Sequence, residues 1–206
     1  MAFDTYMQFL DPDGTYVKGE SQVQISGDSP LGTDISAGNV FEIDDFNFDI
    51  EQVVTIGSQS SGGGGGKVTF NPFTITRKTD RASPILFTMC CAGQHFKQVS
   101  LYIRRAGGGS GGVSAAQGQG ATSGTTFLRF DFALVMVKTV SWSGSDGDDQ
   151  PKEEVAFMYG ALKAQYVQQG ADGKPMTTAN AKTMGSWNQV WNNSSYDSYL
   201  SGMTPT

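Results

Sequence analysis

Apolar residues recur at every second position through most of this chain. That period places alternate side chains on one face of a β-strand. Phe46, Phe48 and Ile50 share one face, with Asn47, Asp49 and Glu51 on the other. Upstream, Phe41 and Ile43 have the opposite parity, so a strand that keeps one face buried takes in an extra residue near Asp44 and Asp45. Val68 and Phe70 alternate, then Phe73 and Ile75, and the parity flips at Asn71 and Pro72, where proline confines pairing to an edge or a bulge. Val99, Leu101 and Ile103 form another face. Leu128, Phe130, Phe132, Leu134 and Met136 form the longest, in a run that ends near Trp142. Val155, Phe157 and Tyr159 alternate, and Leu162, Ala164 and Tyr166 do so after Gly160, which predicts one more gained residue at the glycine. The sum is a mainly β chain, an antiparallel barrel or sandwich with bent strands.

One segment breaks the period. Ser83 suits a helix cap, Pro84 the first helical position, and Gly93 a left-handed stop. Between them Ile85, Leu86, Met89 and Cys90 fall on one face at helical spacing, which reads as core packing rather than a redox site.

Three segments separate the strands: the polar, turn-rich residues 18–39, a Gly/Ser-rich loop over 58–66, and a second over 106–126. Their composition cannot bury enough apolar area to order them on its own. Length suggests one domain over residues 1–174. A polar extension follows over 175–206, either in the same domain or partly disordered. Trp187, Trp191, Tyr196 and Tyr199 within it favour some docking.

A net charge of -6, with Arg77-Lys78 and Arg104-Arg105 as isolated basic pairs, argues against a nucleic-acid partner. No apolar run approaches the length of a membrane span, and the start of the chain lacks the apolar core expected of a cleavable signal peptide. The two cysteines, Cys90 and Cys91, are adjacent and poorly placed to bridge each other, which fits folding in a reducing cytoplasm.

Catalytic constellations are sparse. His95 is the sole histidine, and no oriented base or third group stands near it for a nucleophilic triad. One histidine and two neighbouring cysteines do not make a zinc site. Asp11-Pro12-Asp13-Gly14 lacks the sixth-position glycine and twelfth-position glutamate of a calcium loop and reads as a turn. Gly62 to Lys67 lacks the spacing and the hydroxyl residue of a phosphate loop. Asp146, Asp148, Asp149, Glu153 and Glu154 surround Pro151 and read as a solvated acidic turn. No cofactor is expected, and the expectation is that the chain is not an enzyme. Two readings of other classes are a hydrolase built on that acidic turn and a carbohydrate-binding sandwich using Trp187 and Trp191.

Five pieces, in order, resemble the haemolysin-coregulated proteins (Hcp) of type VI secretion. They are MAFDTYMQF at the start, KGES from Lys18, GKVTFNPFTITRKTDRASPILFTMCCAGQHFKQVSLYIRRAGG from Gly66, LRFDFALVMVKTVSWSGSDGDDQPKEEVAF from Leu128, and ALKAQYVQQGADGKP from Ala161. The chain departs from the pattern in its longer 106–126 loop and in its extended tail.

The resemblance implies a small β-barrel flanked by one short helix, related to phage tail-tube proteins. It implies a homo-hexameric ring that stacks into a tube within a contractile sheath. The expected partners are a VgrG-like spike, sheath and baseplate proteins, and secreted effectors, with no nucleic acid and no membrane insertion. The protein would reside in the bacterial cytoplasm and then be secreted or injected without a cleavable signal. Gln59, Gly62, Gly66, Lys67, Asp146 and Asp148 are the candidate ring or stacking positions. A tail-tube protein of a phage-like contractile injection system is the alternative.

Overall fold

The computed structural model describes residues 3–24, 31, 35–55, 64–106, 124–170, 175–176, 178 and 181–196. Among them lie ten strands and one helix. The strands are β1 (Phe3–Leu10), β2 (Phe41–Glu42), β3 (Asp45–Asn47), β4 (Ile50–Thr55), β5 (Gly64–Phe70) and β6 (Phe73–Lys78), followed after the helix α1 (Ser83–Ala92) by β7 (His95–Ala106), β8 (Gly124–Ser143), β9 (Lys152–Val167) and β10 (Lys182–Asn188). The main sheet runs β2-β1-β7-β8-β9-β6-β3, with β10 also on β9, and every pairing is antiparallel.

This sheet curls round on itself. Residues 41–47 pair with β1 through β2 and with β6 through β3. At the step between the two, Ile43 N–H donates to Thr5 O at 3.0 Å and Asp44 N–H to Thr76 O at 2.9 Å. One short segment therefore joins the two ends of the sheet. The parity change expected near Asp44 is this change of partner.

The interior of the curl is aromatic. Phe9, Phe73, Phe96, Phe132 and Phe157 are fully buried. Phe73 stacks on Phe132 with ring centroids 4.5 Å apart, and Phe48 meets Phe73, Phe130 and Phe132 edge-on. Such pairs add to plain area burial. The other face of β1 and β7 is covered as well: Tyr6 and Tyr102 cluster with Val23, Ile35 and Val40. Val23 and Ile35 of the 18–39 segment thus bury apolar area against this patch, more than the segment's composition suggested.

Several local expectations change. Gly93 closes α1 at φ 63, and the N–H groups of Gly93 and Gln94 return to Cys90 O and Met89 O, as a Schellman motif requires. The start differs. Ala82 holds the cap position, and Ser83 is the first helical residue. On the predicted apolar face Leu86 and Met89 are buried, but Ile85 is exposed. Ile50 is also exposed, because the chain leaves the main sheet there to build the separate β4–β5 ribbon. Pro72 sits between β5 and β6, where the chain returns.

The long face of β8 breaks at Leu134. Phe132 packs in the core, but Val135 and Val137 follow it there, leaving Met136 exposed. Leu134 has φ 52. No residue is gained at Gly160, since Ala133↔Ala161 and Val135↔Tyr159 keep one register. The irregularity falls instead between Val137 and Thr139.

Candidate assembly surfaces

Two buried polar clusters fix the elements that carry the exposed surfaces. Arg77 continues the inward parity of Phe73 and Ile75 on β6 and is 1% exposed. Its Nε donates to Glu153 Oε1 at 2.6 Å, and its Nη2 donates to Asp80 Oδ1 at 2.7 Å and to Ser83 Oγ at 3.2 Å. Its guanidinium lies over the Phe41 ring at 5.0 Å. Asp80 Oδ1 also accepts the Ala82 N–H, and Ser83 Oγ accepts the Asp80 N–H. One arginine therefore ties the start of α1 to β6 and β9. The second oxygen of Glu153 accepts the indole N–H of Trp142 at 3.0 Å. Glu153 is thus a buried member of β9, not part of a solvated acidic turn. A buried pair of this kind is retained only when its remaining valences are met, as here.

The second cluster centres on Asp131, fully buried on β8. Its Oδ1 accepts from Ser100 Oγ at 2.6 Å and Arg129 Nε at 2.8 Å, and its Oδ2 from Gln165 Nε2 at 3.0 Å. Burial acts against the Arg129 charge, but the Asp131 carboxylate outweighs it and holds that guanidinium above its ordinary value. Arg129 Nη1 also donates to Leu31 O, clipping the 18–39 segment onto the sheet.

Arg77 and Asp80 of the first cluster border a cleft of about 280 Å³ whose lining also includes Glu20, Ser21, Glu42 and Asp44. Among the described residues no group of three or more His, Cys, Asp or Glu could hold a metal. Cys90 and Cys91 are free thiols, and the Cys90 Sγ lies 3.8 Å from Lys138 O. His95 opens β7 opposite Met136, half-buried.

Three exposed surfaces among the described residues bear on assembly. The β4–β5 ribbon meets the rest of the fold near its base, and Val68 packs against the main core. There Asn71 N–H donates to Asp49 O, Phe70 N–H donates to Gln189 Oε1, and the Phe70 ring stacks on Tyr159. Gly66 and Lys67 belong to β5, with Lys67 exposed, while Gln59 and Gly62 lie outside the described residues. The second surface is the turn between β8 and β9, where Asp146 and Asp148 are exposed. Asp148 Oδ2 accepts from Ser145 Oγ at 2.8 Å and Ser145 N at 3.0 Å, and these bonds hold its carboxyl below the usual range. Lys67 and Asp148 are not brought together. The ribbon joins β6 at Phe73, and the acidic turn lies at the Lys78 end of that strand, where Lys78 pairs with Lys152. The third surface is β10, which carries the Trp187 already noted in the sequence. It pairs with β9 along its whole length and carries exposed Met184 and Trp187.

A curled antiparallel sheet with one sealing helix and strand edges at its flank defines a class. In fold the chain is similar to a solved type six secretion system protein, with 24% identity, a TM-score of 0.70 and coverage of 93% of this chain and 99% of that one. It is similar too to Hcp1 from Salmonella typhimurium, with 25% identity, a TM-score of 0.61 and coverage of 94% and 99%. The family described as "Type VI secretion system effector, Hcp" matches residues 6–166. Protein hcp1 of Pseudomonas aeruginosa is 32% identical over 107 residues, which are 52% of this chain and 58% of that protein, so the match spans little more than half of that relative. The chain belongs to the Hcp family of type VI secretion tube proteins.

Proposed function

We propose that this chain is the structural subunit of a type VI inner tube. Copies form hexameric rings, the rings stack, and the tube is exported with effectors carried on it or in its lumen. Its partners are further copies of itself, a VgrG-like spike, sheath and baseplate proteins, and the effectors. It works without catalysis. It resides in the bacterial cytoplasm until it is injected. Residues 1–174 are the tube domain, and 175–206 belong to the same domain, a reading supported by the β10–β9 ladder.

The observation that carries this reading is where the strand edges lie. The main sheet joins its own ends through residues 41–47, so its edges are largely used up within one copy. Among the described residues, the edges left over are those of β10 and of the β4–β5 ribbon, and open edges of this kind can be hidden by adding neighbours in a ring. Exposed strand edges of this kind are hidden naturally by association with like copies.

Light scattering across a concentration series, with negative-stain images of the same samples, tests the proposal. Annular particles and a mass that rises in multiples of six chains are expected. A single-chain mass at every concentration with no annular particles ends it.

A further inference from the structure

We infer that the outer edge of β10 is the docking line for β4 of a second copy of this chain. The inference rests on the tube-subunit reading and names the contact that makes the ring.

The hydrogen-bond parity of β10 sets the argument. Gln168 N–H donates to Ala181 O at 2.8 Å and Gln189 N–H donates to Gly160 O at 2.9 Å, so the odd-numbered residues turn their backbone toward β9. Asn188 and Asn193 exchange both N–H···O bonds, at 2.7 and 3.2 Å, so the even-numbered residues turn outward and the tail closes the edge at Asn188. Between these limits the N–H and C=O groups of Met184 and Ser186 point away from β9, with the tail reaching as far as Ser186, whose Oγ donates to Ser194 O at 2.7 Å. No other strand among the described residues pairs with them. An outward row of backbone donors and acceptors selects another strand by its main chain, whatever its sequence.

The complementary edge is β4. The register passes from Gln52↔Val68 to Val54↔Gly65, which leaves Val53 outside the ladder and 64% exposed. Met184 is 65% exposed, and the two are the most exposed large apolar side chains among the described residues. Apposed, they cover each other. Pairing β10 with β4 is heterologous: each copy keeps one edge of each kind, so addition continues round an axis until the ring closes. Pairing β10 with β10 would stop at a dimer.

The test is a cysteine pair, Val53→Cys with Met184→Cys, in a background carrying Cys90→Ser and Cys91→Ser. Oxidised samples are run on a non-reducing gel beside light scattering. The pair is expected to give a covalent ladder beyond the dimer, and either single variant at most a dimer. Met184→Pro supplies a second readout. It deletes an outward N–H that β9 does not use, and edge strands tolerate proline. Assembly is expected to weaken at least about tenfold, since a ladder bond and its register are lost at every contact, with the melting temperature kept. Thr183→Pro deletes an inward N–H and is expected to lower the melting temperature itself.

An assembled sample without a ladder, or Met184→Pro assembling as the parent does, overturns the β10–β4 contact and leaves the tube reading standing. A parent chain that stays monomeric at every concentration overturns both.

Discussion

Leu134 lies opposite Gly160, and at this pair β8 and β9 turn over together. Phe132 and Leu162 face the core on one side of the pair, and Val135 and Tyr159 face it on the other. Leu134 takes φ 52, a conformation that costs a non-glycine residue roughly 1–2 kcal/mol. The register stays unbroken because both strands make the change at one level. The curl of the sheet gains a twist there without an unpaired residue.

Gly160→Ala tests this arrangement. A Cβ at 160 would lie 3.2 Å from Leu134 Cδ2 and 3.3 Å from Val190 Cγ2, both tight. Overpacking of this kind costs about 1–3 kcal/mol. Urea unfolding is expected to show that loss, and Leu134→Ala in the same chain is expected to recover part of it, so the double variant falls short of the sum of the singles. Strict additivity would place the strain elsewhere.

Glu153→Ala is expected to cost about 3–5 kcal/mol, the usual result of leaving one member of a buried ion pair alone. The change strands Arg77 and frees the Trp142 indole N–H. Because Arg77 also holds Asp80 and Ser83, the first turn of α1 should lose amide exchange protection before its last turn does. Uniform loss along α1 would show that the arginine does not anchor the helix start.

Asp131→Ala is expected to cost about 3 kcal/mol, since it leaves the half-buried Arg129 unpaired and strands the donors of Ser100 and Gln165. Its signature is different. The 18–39 segment is clipped to the sheet through Arg129 and Leu31, so limited proteolysis should cut there first. First cleavage elsewhere would separate the cluster from that segment.

Tyr159 gives the pH dependence. Its hydroxyl is buried with no hydrogen-bond partner among the described residues. Burial, and then the charge of Asp49, push it above the ordinary tyrosine range. A raised folded value favours the protonated form. The contribution to stability is fully present below the unfolded value near about pH 10 and is lost as pH rises through the folded value. Tyr159→Phe is expected to change stability at neutral pH by less than about 1 kcal/mol, because no made bond is broken, and to reduce the loss above about pH 10. Denaturant titrations at pH 7 and 10.5 check both; an unchanged alkaline slope would sink the assignment to Tyr159.

Much of this fold is legible in the residues themselves. Period-two runs locate most of the strands of the main sheet, and Pro84 and Gly93 bracket the helix. What was not legible depends on partners far away in sequence. Ile50 has the right parity for the core, but nothing local announces that the chain departs there for a separate ribbon. Leu134 carries no sign of a positive φ, since only its position opposite Gly160 makes that conformation useful. Glu153 sits among exposed acids and differs from them only because Arg77 meets it. The clue was present: Arg77 keeps the inward parity of Phe73 and Ile75, and a charge in that place needs an opposite one. Asp131, between Phe130 and Phe132, looks like an outward residue until the 18–39 segment covers that face. The lateral edges were the least legible part, because composition says nothing about which strand ends a sheet.

The clasp formed by residues 41–47 sets the order of events in a newly made chain. β1 emerges first but cannot pair with β7 until the helix and everything before it have been synthesised. The clasp must wait longer still, since β6 finds its place only against β9. Such distant pairings fold slowly. Closure is therefore a late event, and until it happens the nascent chain exposes several adhesive borders at once, which makes early synthesis the period in which this protein has most need of protection from its siblings.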